Sequence, residues 1–206
     1  MIYRGSRYNV VNQQRLKPAV YGRVKKNEEL EVMANPSPGS GSTHRYIFNP
    51  ESSVFFLSSR NSKVPLVPLL RALGVEDDAI RAAWGDEIAE KNFAKRDGGS
   101  LDKLYERLVP KKLQEPHATP EFKQIALRQA IGTIKLDPWS TKKILGIETD
   151  HLTPEVILRS TAKTLEMSRG LSQGDDRDSL AFQTVHGVED LMAERFRLDS
   201  GHHQKN

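Results

Sequence analysis

Cysteine is absent from the 206 residues, which excludes disulfides, thiolate metal ligands and a cysteine nucleophile, and fits a reducing compartment. No run of about eighteen apolar residues occurs, so no membrane-spanning helix is expected. Residues 1–10 are polar and basic and lack the apolar stretch of a secretory leader. There is no G-x-x-x-x-G-K-[ST] phosphate loop. The run Gly39-Ser40-Gly41-Ser42 lacks the lysine and the following helix that such a cradle needs. The six histidines (His44, His117, His151, His186, His202 and His203) form no H-E-x-x-H spacing, and internal repeats are missing. No independent active site assembles from these residue types, so a free-standing hydrolase or metalloenzyme is disfavoured.

What is present is an uneven charge. Residues 1–63 carry ten Lys/Arg against four Glu, a net +6, whereas the whole chain is only +4, so the remainder sums to −2. A basic first third suits a polyanion, because phosphate contacts release counterions. A solvated surface with surplus lysine would have the same composition.

The hydrophobic pattern predicts an α+β chain: a short-stranded antiparallel sheet near the N-terminus, then a mainly helical region and a C-terminal helix. Val10-Val11, Val20-Tyr21, Leu30 to Met33, His44 to Phe48 and Val54 to Leu57 read as strands, separated by turn material such as Asn49-Pro50-Glu51. Residues 35–42, with two prolines and two glycines, read as a flexible connection or hairpin tip. The period becomes helical from Pro65 to Leu73, with Gly74 as C-cap. Further helices are expected from Glu76 through Trp84, at 101–108, at 119–131, and from Thr153 (N-cap, with Pro154 next) to Gly170. The last helix, about 188–198, places Val188, Leu191, Met192 and Phe196 on one face.

The densest acidic cluster is Asp175-Asp176-Arg177-Asp178. It lacks the glycine and distal glutamate of an EF-hand loop, and Arg177 competes with a cation, so metal binding is disfavoured. Loop carboxylates of this kind accept hydrogen bonds from nearby amides or from a nucleic-acid base.

Four segments in order carry a resemblance. Gly5, Val11, Gln13, Pro18, Val20 and Tyr21 fall in step with a stretch of the β-type large subunit of multisubunit DNA-directed RNA polymerases. Gly41 to Pro50 is similar to that family's R-G-S-W-L-x-F-E-F-D-P, and Lys63 to Gly74 resembles its K-L-P-x-x-x-L-L-R-A-L-G. Thr153 to Glu155, then Gly174 to Leu180 and on to Val188, resembles its L-T-x-E-D-I and G-x-x-D-D-I-D-H-L-G-N-R-R.

The resemblance implies a lobe at 26–174, with 1–25 plus 175–206 belonging to the base shared by protrusion and fork. It implies contact with downstream DNA and the non-template strand, and it offers Asp178, Arg177, Gln13, Arg45, Arg60 and Lys63 as nucleic-acid-binding residues. Asp178 would accept hydrogen bonds from a guanine, or would cap the loop into Leu180. No catalytic residue and no cofactor is expected on this chain; the Mg²⁺ would sit on the β′-type partner. The expected partners are other β and β′ polypeptides, DNA and an initiation factor, in the cytoplasm of a bacterium or infected host. The chain would then be an expressed fragment, or a split subunit of a large bacteriophage with the virion as a further location. The sequence departs from the family where Thr43 replaces a base-stacking tryptophan, Ser40 an arginine, Ser59 an aspartate, and Gln183-Thr184 two arginines. A free-standing basic nucleic-acid-binding module, or a docking platform for transcription factors, is the alternative.

Overall fold

Short apolar and alternating runs after Pro18 form strands that turn one side toward a core. A computed structural model describes every residue except positions 1, 8, 10, 26–28, 60, 61, 96–98 and 204–206. The chain divides into two compact units, one of Met1–Lys17 with Asp176–Asn206 and one of Pro18–Asp175. The resemblance to the polymerase β subunit puts the boundaries at 25/26 and 174/175 instead.

The first unit begins with a hairpin of β1 (Ile2–Tyr3) and β2 (Ser6–Arg7), whose two loop residues Arg4 and Gly5 both have positive φ. This is the backbone that a tight two-residue turn requires. Strand β3 (Gln13–Leu16) follows. Val11, read as part of a strand, is not in one, and Val10 lies outside the described residues.

In the second unit, β4 (Ala19–Val24), β5 (Leu30–Asn35), β6 (His44–Asn49), β7 (Val54–Ser59) and β8 (Ser62–Pro65) form an antiparallel meander in sequence order. One side of the sheet carries Val20, Val32, Ala34, Tyr46, Phe48, Phe55, Leu57 and Val64 into the core. The β6–β7 turn is closed by the Asn49 side chain, whose Oδ1 accepts from the amides of Glu51 (2.9 Å) and Ser52 (3.2 Å). The 36–43 connection is a hairpin tip, and it is tied down. Ser37 N–H donates to Lys135 O (2.9 Å), the Lys135 amide donates to Ser40 Oγ (3.1 Å), and a Cβ at Gly41 would lie 2.7 Å from Ile134 Cγ1.

Helices cover the core side. They are α1 (Val67–Ala72), α2 (Asp77–Trp84), α3 (Asp86–Phe93), α4 (Ser100–Leu108), α5 (Pro120–Gly132), α6 (Pro138–Leu145) and α7 (Pro154–Ser168). Pro65, expected to open a helix, ends β8 instead, and α1 starts two residues later. Trp84 joins three elements: its ring packs 4.6 Å from that of Phe55, and Nε1–H donates to Thr161 Oγ1 at 2.8 Å. The buried Asn92 ties α3 to the sheet. Its Oδ1 accepts from Phe55 N, and its Nδ2 donates to Ser53 O and Ile88 O, all within 2.9 Å. Helix α7 starts as the sequence predicts, with Thr153 Oγ1 capping Val156 N. It is buried more widely than one stripe, and Ser160, Lys163 and Thr164 are enclosed as well.

The meander leaves β4 as an edge strand. Asp175 blocks it, with its amide donating to Gly22 O (2.8 Å) and its Oδ2 accepting from Gly22 N (2.7 Å). A side chain at position 22 would press on Met167 Sδ at 2.9 Å, which accounts for the glycine. Back in the first unit, β9 (Gln183–His186) pairs antiparallel with β3, and α8 (Val188–His203) follows. Among the described residues no helix is long and apolar enough to cross a membrane.

Candidate nucleic-acid interface

The side of the meander away from the core carries a row of directly paired residues, Tyr21–Met33–Arg45–Ser58–Lys63. Residues paired in this way point to the same face of the sheet. Arg23 and Glu31 form the adjacent pair on that face. Four cations therefore gather around two carboxylates. Glu31, fully buried, contacts the Arg23 guanidinium, has Lys25 Nζ at 2.9 Å and Arg45 Nε at 3.9 Å. Glu29 takes Lys25 Nζ at 2.6 Å and Lys63 Nζ at 2.7 Å. Burial pushes the Glu31 carboxyl up, but its bonds from Lys25 and Arg23 outweigh burial and hold it below the ordinary carboxylate value. Hydrogen bonds from Lys25 and Lys63 hold Glu29 low as well. Both acids are thus ionised at neutral pH, and the cluster keeps a surplus of two positive charges. Arg45 and Lys63 keep side-chain exposures of 45% and 52%, enough to meet a phosphate.

Arg45 and Lys63 are thus brought together, with Arg23 and Lys25 beside them; Arg60 lies outside the described residues. The two extra cations were legible only as part of a basic count, because no spacing rule joins residues 23, 25, 45 and 63 before the strands pair. Of the positions where the sequence departs from the polymerase motif, Thr43 is exposed, whereas Ser59 is buried on the core side.

The three carboxylates of Asp175-Asp176-Arg177-Asp178 serve separate ends. In the larger unit, Asp175 is an anchor: besides Gly22, its Oδ1 meets Lys163 Nζ at 2.6 Å, with both side chains almost enclosed. In the smaller unit, Asp176 Oδ1 accepts from the Asp178 amide (3.1 Å), so the turn is tied by Asp176 rather than capped by Asp178. The Asp178 residue is exposed, and its carboxylate has no hydrogen-bond partner among the described residues. Arg177 is half-buried, and its carbonyl accepts from Gln183 Nε2 at 2.6 Å. Gln13 is exposed at the start of β3 and accepts from Arg15, whose guanidinium also pairs with Glu194 of α8 at 2.7 Å. Among the described residues no group of three or more His, Asp or Glu is placed to hold a metal ion. His44, the buried histidine, lies with Nδ1 3.0 Å from Ser42 O and Nε2 2.8 Å from Tyr46 Oη; burial pulls its pKa down.

No protein-family model matches the chain. It is similar to the DNA-directed RNA polymerase subunit beta of Syntrophomonas wolfei subsp. wolfei, with 26% identity over 222 aligned positions that take in 95% of this chain. The chain spans about a fifth of that relative's length, 19%. The likeness runs along 95% of this chain and is to a β-type polymerase subunit.

Proposed function

We propose that this chain is a segment of the β-type subunit of a multisubunit DNA-directed RNA polymerase, forming its lobe and contacting DNA through the cation-bearing sheet face. The observation that carries this reading is the likeness to a β subunit along nearly the full chain, with the matched motifs in family order. The reading assigns no catalytic residue here; nucleotidyl transfer and its Mg²⁺ belong to other parts of the assembly.

Two physical features support it. The outer sheet face offers Arg23, Lys25, Arg45 and Lys63 on a rigid scaffold, as sequence-independent backbone contacts require. The smaller unit has no buried side chain among its described residues, and Val188, Met192 and Phe196 of α8 are 36%, 52% and 68% exposed. Residues spaced four apart on a helix form one stripe, and an apolar stripe left open is the mark of an interaction surface. A segment of a larger subunit would have such a stripe covered by its remaining polypeptide. Asp178, Arg177 and Gln13 would be the strand-contacting residues of this unit.

Purification of the chain from its native source tests the proposal. It should bring down polypeptides carrying the rest of the β-type and the β′-type sequence. A chain that runs alone, with no polymerase polypeptide attached, would overturn the reading in favour of the free-standing basic module. The self-contained core of the larger unit favours that alternative. In the assembled enzyme, Asp178→Ala should change pausing in a way that depends on the non-template base. An unchanged base dependence would remove Asp178 from the interface.

A further inference from the structure

Between α5 and the segment that follows α4 lies an open cavity of about 560 Å³. Val109, Pro110 and Leu113 form one wall, and Phe122, Ala126 and Ala130 of α5 form the other. Its size is that of a ligand-binding cleft. Two large aliphatic side chains at this place stay in water. Leu113, itself part of the wall, is 63% exposed, and Ile125, which shares a face of α5 with Phe122 and Gln129, is 53% exposed. A lone exposed leucine is ordinary on a protein surface; an apolar cavity edged by two such side chains is the kind of patch that marks an interaction site.

The wall keeps its shape through its own hydrogen bonds. Leu113 ends a single 3₁₀ turn, Lys111–Leu113, that buries none of its residues. The next residue, Gln114, donates through Nε2 to Val109 O at 2.7 Å and to Glu106 O at 3.0 Å, which satisfies carbonyls at the end of α4. The Glu115 amide donates to Tyr105 Oη at 2.7 Å, and the buried Tyr105 ring stands 6.5 Å from that of Phe122. Leu113 is therefore held out of the core by anchored neighbours, so an occupant would find the wall already ordered.

The charge around the cavity is one-sided. Val109, Pro110, Ala130 and Thr133 are walls shared with an adjoining notch of about 170 Å³, which is lined by Ser40, Ser42, Arg107 and Lys111 and by no carboxylate. Lys112 stands on the rim of the cavity, with Glu115 as the acid there. Among the described residues, Lys111 and Lys112 have no ion-pair partner, and Arg107 donates once, from Nη1 to Ser59 O at 3.1 Å. Three cations thus face one carboxylate. On α5 the lining residues from Phe122 to Thr133 form one helix face about 16 Å long, the length of three helical turns. A groove of that length with apolar walls fits the apolar stripe of an amphipathic helix, and the cations beside it call for acidic flanks. A nucleic-acid backbone would meet the cations but leave Leu113 and Phe122 uncovered.

We propose that this groove docks an acidic amphipathic helix of a partner protein, its apolar stripe seated between α5 and Leu113 and its carboxylates on Lys111, Lys112 and Arg107. The proposal goes beyond the polymerase reading and does not depend on it, because the groove lies wholly within the larger unit, whose core is self-contained.

The test uses the 206-residue chain and a fluorescein-labelled helical peptide of about sixteen residues, with leucines spaced three and four apart on one face and glutamate and alanine elsewhere. A second peptide has lysine in place of each glutamate. The acidic peptide should bind, and the lysine peptide about tenfold more weakly. Leu113→Ser changes an exposed side chain, so the melting temperature should stay in place while the acidic peptide binds about tenfold more weakly. Lys111→Glu with Lys112→Glu should reverse the preference, making the lysine peptide the tighter of the two. No binding of the acidic peptide, equal binding of the two peptides, or an unchanged affinity in Leu113→Ser would each overturn the proposal. Displacement by oligothymidylate as readily as by unlabelled peptide would overturn it too, and give the groove to nucleic acid. These outcomes are read apart from copurification. Polymerase polypeptides attached to a chain that ignores the peptide keep the polymerase reading and remove the groove, and peptide binding without copurification does the converse.

Discussion

The two units of this chain are built on opposite terms. Pro18–Asp175 encloses Trp84, Tyr46, Phe55 and a continuous set of Leu, Ile and Val between a sheet and its helices. Met1–Lys17 with Asp176–Asn206 has two ribbons of two strands, a helix, and no buried side chain among its described residues. Two-stranded ribbons are marginal in water without a hydrophobic face to pack on. The comparison teaches that the larger unit contains its own reasons for folding, whereas the smaller one carries apolar surface in need of a cover.

Substitutions can break this contrast, and the largest effect should come from the centre of the larger unit. Trp84→Ala removes the ring stacked on Phe55 and the bond to Thr161. It should cost about 3–5 kcal/mol in urea unfolding.

Next is the buried ion pair that closes the edge of β4. Lys163→Ala leaves the Asp175 carboxylate enclosed with only the Gly22 amide, and should cost about 3 kcal/mol, as expected for breaking a buried pair. Calorimetry would show a lowered melting temperature, and Lys163→Met should be no gentler, because the charge left behind is that of Asp175.

A smaller effect is set by pH. The folded value of Glu31 lies below its ordinary 4.5, so the ionised group stabilises the fold above that pH. The contribution is lost as pH falls through the depressed folded value. Urea midpoints at pH 7 and pH 3.5 should therefore differ more for the unaltered chain than for Glu31→Gln, which has no proton to take up.

The smallest change in stability should come from α8. Met192→Ser with Phe196→Ser touches only exposed side chains and should shift unfolding by less than about 0.5 kcal/mol each. The same variant should lose its copurifying polypeptides, which sharpens the contrast: large energetic cost without a partner in one unit, loss of partner without energetic cost in the other. Retained partners would show that this stripe is not the assembly surface.

Much of this was legible along the chain. Helix α7 announces itself through Thr153, Pro154 and its apolar period, and the meander through short apolar or alternating runs set off by turn residues. Helix α6 was missed although Asp137, Pro138 and Gly146 are start and stop signals, because its eight residues offer too few turns for a period to emerge. Strand β9 was missed for a different reason. Its partner β3 is some 170 positions away, and polar strands such as Gln183–His186 show no pattern until they pair.

By itself the sequence determined the α+β class, the order of sheet and helices, most helix ends, and the motif order that resembles a polymerase β subunit. Those features are local: caps, turns, alternation and short-range period act within a few residues. Only the tertiary structure decided that residues 23, 25, 45 and 63 form one cluster around Glu29 and Glu31. It also decided that Asp175, Asp176 and Asp178 part ways. Each depends on strand register and helix placement, which bring together groups that no local rule relates.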